Sequence, residues 1–104
     1  MSLTSPDWSE VDALRAEHER LRRAGEHVAR AVAELLRARA EVGDHASSVA
    51  LGELVESLQL TQAQLAAAAE RAFSLGQLAA RRVRHAAFQR QVDQATGLNE
   101  PPNG

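Results

Sequence analysis

The chain has no Cys, no Tyr and no Lys. Without Cys it has no disulfide, no thiolate metal site and no thiol nucleophile. Its aromatics are Trp8, Phe73 and Phe88, too few for a strand-rich core, where aromatic and β-branched residues are favoured. The longest apolar run, Leu65-Ala66-Ala67-Ala68-Ala69, falls far short of the ~20 residues of a membrane-spanning helix. Asp7 and Glu10 stand where a signal peptide would be cationic and then apolar. The expected location is therefore cytoplasmic, or exported without a cleavable signal peptide. Net charge is −2, so overall charge selects neither a polyanion nor a polycation as partner.

What the chain does have is Ala, Leu and Val for most of its 44% hydrophobic residues, with Arg, Glu and Gln around them. These are strong helix formers, and 104 residues make one domain. Ser5-Pro6-Asp7 reads as a helix start, with a capping Ser, a Pro at the first turn and an acid for the dipole. From there Val11, Leu14, His18, Leu21, Gly25, Val28, Val32, Leu35, Arg39 and Val42 recur at alternating steps of three and four. That rhythm is a heptad seam. Glu19 with Arg23, Glu26 with Arg30, and Glu34 with Arg37 are spaced for ion pairs along one helix. A first helix is expected from Ser5 to Val42, closed by a left-handed cap at Gly43.

Asp44 to Ser48 is a short polar turn, and so short a connection favours antiparallel neighbours. The second helix is expected from about Ser47, with Leu51, Leu54, Val55, Leu58, Leu65, Ala69 and Ala72 on its inner face. The Ala66–Ala69 run is wider than one seam and implies a second neighbour. Ser74-Leu75-Gly76-Gln77 leaves two readings open: a Gly tolerated in one continuous helix, or a capping box starting a third helix after Gly76. Gly97-Leu98 reads as a helix end. The expected organisation is a frayed leader over 1–4, a hairpin domain over 5–97 and a disordered tail over 98–104.

With the turn near His45, residue i should lie opposite residue 90 − i. Asp7, Glu10, Asp12, Glu17 and Glu19 would then face Arg71, Arg81, Arg82 and Arg84, pairing that would fix orientation. An unbroken second helix should overhang the first by about ten residues, including Phe88 and Val92.

Motifs with chemistry are few. His18 on the seam reads as a register-setting polar residue, and Gly25 as a point of close helix approach. His18, His27, His45 and His85 include no Glu-x-x-His or His-Glu-x-x-His spacing, so no metal and no cofactor are expected. There is no phosphate-binding Gly loop and no nucleophile elbow, so no catalytic residues are assigned. Arg81-Arg82-Val83-Arg84-His85 is the one basic cluster. It offers a nucleic-acid accessory role as an alternative, disfavoured by the lack of interleaved aromatics.

Two long helices, a Gly-containing central turn, Ala-rich faces and apolar anchors at Leu54, Leu58 and Leu65 resemble the small helical-hairpin proteins of type VII secretion, the ESAT-6/WXG100-like group. A Trp-x-Gly turn and a C-terminal Tyr-x-x-x-acid motif are absent. The resemblance implies a dimeric bundle and a role in or beside secretion. Leu35 to Val42 also resembles the first helix of helical chorismate mutases, which would imply a small Arg-lined enzyme. Those enzymes typically use a Lys, which this chain lacks.

The sequence thus predicts an all-α, long antiparallel helical hairpin, coiled-coil-like, that dimerises into a four-helix bundle. Its expected role is non-enzymatic: binding a second copy or a helical protein partner. Val11, Leu14, Leu21, Val28, Val32, Leu35 and Val42 should close the hairpin on Leu51, Leu54, Leu58 and Leu65. Ala66, Phe73, Leu78, Phe88 and Val92 should form the partner surface.

Overall fold

The computed structural model describes residues 8–99, and these form two helices: α1, Trp8–Glu41, and α2, His45–Asn99. The leader, the Ser5 cap, Asp7 and residues 100–104 of the expected tail lie outside the described residues. The helices run antiparallel as a hairpin about 90 Å long and 20 Å wide. No helix among the described residues is long and apolar enough to cross a membrane.

α1 follows its seam. Val11 and Val32 are buried, and Leu14, His18, Leu21, Val28, Leu35 and Val42 are half-buried against α2. Its outer face carries ion pairs one turn apart. Arg20 pairs with Glu17, Arg23 with Glu19, Arg37 with Glu34, and Arg22 with both Glu19 and Glu26. Glu26 thus takes Arg22, not the expected Arg30, whose guanidinium donates to His27 Nδ1 at 3.1 Å instead. Hydrogen bonding and charge from Arg22, then from Arg23, hold the Glu19 carboxyl below its ordinary range.

The turn is tight. α1 ends with Val42 N–H donating to the Ala38 carbonyl at 3.2 Å. Gly43 does not adopt the expected left-handed backbone. The chain instead passes directly into the Asp44 cap, whose Oδ1 accepts from Ser47 N–H at 2.6 Å. That is an N-cap satisfying a donor that the first turn would leave orphaned. α2 therefore begins at His45, two residues earlier than expected. Arg39 completes the closure: its Nε donates to Ser48 Oγ at 3.3 Å, and its guanidinium lies over Gly52, 3.1 Å from where a Cβ would stand.

α2 is continuous through Gly76, so the alternative of a third helix is not what the chain adopts. A helical Gly costs about 1 kcal/mol relative to Ala. Here Gly76 is buried, with the Leu14 Cβ only 3.6 Å from where its own Cβ would be. Tertiary packing decides the matter. The inner face of α2 keeps the steps of four and three throughout: Leu51, Val55, Leu58, Gln62, Leu65, Ala69, Ala72, Gly76, Ala79, Val83 and Ala86 are all buried or half-buried. Leu54, expected on this seam, is 47% exposed, because Val55 takes the inward position one residue on. Gly97 does not end the helix, which runs to Asn99.

Register agrees with the expected pairing of i with about 90 − i. Val11 sits in a core with Ala79, Ala80 and Val83, and Leu14 lies against Gly76. Gly25 is different. Nothing lies within 4 Å of a Cβ built on it, so it is not the expected point of close approach.

Two predictions follow from these positions. Gly25→Ala should stabilise the hairpin by about 0.5–1 kcal/mol, since it gains helix propensity and meets no obstacle. A thermal melt should show Tm rising by about 2–6 °C; a fall would mean the site is tighter than the geometry shows. The second concerns Asp44, whose carboxyl is held below its ordinary range chiefly by the Ser47 hydrogen bonds. A depressed folded value stabilises above the unfolded value, and that stability fades as pH falls through the folded one. The Tm gap between the wild type and Asp44→Ala should be widest near neutral pH and shrink below the ordinary carboxylate range. A gap unchanged from neutral to strongly acidic pH would remove the charged cap from the account.

Candidate interaction surface

Groups able to do chemistry are sparse on this scaffold. Among the described residues no group of three or more His, Asp or Glu side chains is placed to hold a metal ion. No buried side-chain polar atom among them lacks a hydrogen-bond partner. What the hairpin does offer is a groove and an overhang.

The groove lies between α1 and α2 beside Gly25, where nothing stands within 4 Å of a Cβ built on that residue. Its volume is about 570 Å³, and His18, Leu21, Gly25, Gln62, Ala66 and Phe73 are among the residues lining it. A second stretch of about 330 Å³ adjoins it at His18 and Phe73 and runs past Gln77 to Arg15 and Arg84. Arg15 is engaged over the Trp8 ring at 5.9 Å. At the junction, His18 Nδ1 lies 2.9 Å from the Ala69 carbonyl oxygen. That oxygen can only accept, so Nδ1 carries the proton. The His18 and Phe73 rings sit tilted with centroids 5.4 Å apart. His18 thus links the two helices by a directional bond as well as by packing, the polar seam role that fixes one register over others.

The overhang begins where α2 runs past the described start of α1. Ala86 is half-buried, but every residue from 87 to 96 is exposed. Phe88 is 60% exposed and Val92 38%.

The five residues expected to form one partner surface fall on two faces. Ala66 and Phe73, seven residues apart, share the groove side of α2. Leu78 and Val92, fourteen apart, share another line, with Phe88 one turn before Val92. Leu78 lies about 140° round the helix from Phe73, at 100° per residue. All five are exposed.

Among the described residues, the ion pairs expected across the hairpin from Asp12, Glu17 and Glu19 to Arg71, Arg81, Arg82 and Arg84 do not form; Glu17 and Glu19 pair instead with arginines one turn away on their own helix. The inner residues Gln62, Gly76, Ala79, Ala80 and Val83 escaped the sequence reading. For all but Ala80 the signal was present, since the steps from Leu51 continue unbroken, but Ala, Gly and Gln carry little hydrophobic weight and Val83 stands between arginines.

No family model matches the chain, and no curated protein and no solved structure matches it.

Truncating His18 tests its role at the junction. His18→Ala removes a directional hydrogen bond and a ring contact, together about 1–3 kcal/mol. Urea unfolding should show the midpoint falling with an unchanged slope. An unaltered midpoint would strip His18 of its register-fixing role.

Proposed function

We propose that the chain is a non-enzymatic helical interaction module in which the distal part of α2 docks another helix. One observation carries this reading: α2 outruns α1 and leaves Phe88 and Val92 exposed on a segment that no other described element covers. A large aromatic that is more than half exposed contributes little to folding, whereas aromatic anchors are enriched at binding hot spots. An apolar stripe on one helix is the pattern of helix-in-groove and helix-on-helix recognition. Two hairpins placed side by side as a four-helix bundle are one way to cover such a stripe. A role alongside type VII secretion is supported by the length and the hairpin plan alone. The catalytic reading has less support, because the groove that Arg15 and Arg84 line holds no carboxylate or hydroxyl side chain beside them.

The test separates binding from folding. Phe88→Asp should leave helicity unchanged and stability within about 0.5 kcal/mol, as for surface positions without partners. Val83→Asp, in the buried core, should unfold the chain or come close to it. Circular dichroism with thermal melts reads both. Loss of stability in Phe88→Asp comparable to that in Val83→Asp would sink the docking reading, since Phe88 would then be part of the fold. Light scattering on the same proteins reports the docked chain: a second copy if Phe88→Asp lowers the mass, a different protein if the wild type is already monomeric.

A further inference from the structure

The twelve arginines divide sharply by helix. On α1 each has a partner: Arg15 lies over Trp8, Arg20, Arg22, Arg23 and Arg37 pair with glutamates, Arg30 bonds His27, and Arg39 bonds Ser48. On α2 the other five, Arg71, Arg81, Arg82, Arg84 and Arg90, form no ion pair or side-chain hydrogen bond among the described residues, and all are exposed. No acid occurs from Arg71 to Val92. A stretch of about 30 Å at 1.5 Å per residue therefore carries uncompensated positive charge.

Exposed apolar side chains sit among these charges. Leu78, His85 and Val92 recur every seven residues along one line of α2. Arg81 and Phe88 form the line beside it, and Leu75 and Arg82 the line on the other side. The face is thus a short apolar strip flanked by guanidinium groups. Arg pairs bidentately with carboxylates and is weakly hydrated enough to be buried at an interface.

We propose that this face of α2 binds an acidic amphipathic helix. Leu75, Leu78, Phe88 and Val92 meet its apolar stripe, Arg81 and Arg82 meet glutamates or aspartates on its flanks, and Arg71 meets one at the end of the strip. The inference rests on reading distal α2 as a docking element and adds the chemistry of the partner. A second copy of this chain fits the face less well. Two such faces brought together would oppose arginine with arginine, which disfavours pairing. Of the acids on α1, Glu17, Glu19, Glu26 and Glu34 are already paired to its own arginines, and Asp12 and Glu41, exposed acids outside those pairs, stand at opposite ends of the helix. Nucleic acid would use the charge but leave Leu75, Leu78 and Val92 without a role.

Fluorescence anisotropy on the full chain tests this with four labelled probes. They are a three-heptad peptide of about 21 residues with Leu at the seam positions and Glu on its flanks, a scramble of the same composition, the same amphipathic peptide with Lys for Glu, and a duplex DNA. The acidic amphipathic peptide should bind at least about tenfold tighter than any other probe, a gap of ~1.4 kcal/mol. Phe88→Asp, and separately the pair Arg81→Gln with Arg82→Gln, should each weaken it about tenfold while the melting curve stays unchanged. Equal binding of the scramble would overturn the proposal by showing that charge alone is read. Tighter binding of the duplex would overturn it in favour of a polyanion site. Equal binding of the Lys peptide would overturn the acidic partner yet leave the docking reading intact. Binding of no probe would overturn the proposal too, with the docking reading still judged by the stability of Phe88→Asp.

Discussion

The hairpin depends on a mismatch in side-chain size across one seam. Through its N-terminal half, α1 presents Val11, Leu14, His18 and Leu21. The part of α2 that runs beside it presents Ala69, Ala72, Gly76, Ala79 and Ala80. Large residues reaching over small ones let the two helices sit close where Val11 and Leu14 meet Ala79, Ala80 and Gly76, and the interaxial distance follows the side chains at the contact. Because both sequences step by three and four, a shift of one residue would turn several inner side chains toward solvent. His18, bonded to the Ala69 carbonyl, adds a directional term that slippage would break. At the turn a polar contribution is added: the Asp44 cap and Arg39 over Gly52 close the end of the seam.

Once that register is set, the unequal helix lengths become a structural consequence. α1 has 34 residues and α2 has 55, so a turn fixed at one end leaves surplus helix at the other. Charge follows the same division. Four of the seven arginines on α1 pair with glutamates of the same helix, whereas the five on α2 form no ion pair among the described residues. Surface ion pairs one turn apart contribute at most about 1 kcal/mol each, so their presence on α1 has little effect on stability. Their absence on α2 bears more on what approaches that helix from solvent.

The α1 seam was legible because Val and Leu mark seven of its ten positions, from Val11 to Val42. The hairpin followed from the short polar turn, and the register from placing that turn near His45. The inner face of α2 was harder to read. Its rhythm is as regular, but Ala, Gly and Gln score weakly as core, which made Ala66–Ala69 look like a surplus face and left Gly76 open to being either a break or part of one helix. Leu54 was drawn into the seam by its hydrophobicity, although Val55 holds the inward place. Gly25 and Gly43 show the opposite error. Each was assigned the job glycine often does, yet the first faces open space and the second lacks a left-handed backbone. A composition-based reading cannot see the neighbour that decides what a glycine is for. Nor could linear charge patterning show that arginines a turn away would outcompete those across the hairpin.

The exposed end of α2 is where packing stops supporting helicity. Isolated helices shorter than ~12–15 residues are marginal in water, because nucleation is costly and each added bond contributes little. The turns beyond Ala86 escape that limit by continuing a helix already nucleated and packed upstream, and they lack the tertiary contacts that hold Ala79 and Val83. Such a segment sits at the low end of local stability, where fraying and docking compete. A partner helix laid along Leu78, Phe88 and Val92 would replace the missing tertiary contacts and order the last turns at the same time. Binding and local ordering would then be one event, so affinity should be sensitive to helix propensity in the overhang as well as to its side chains.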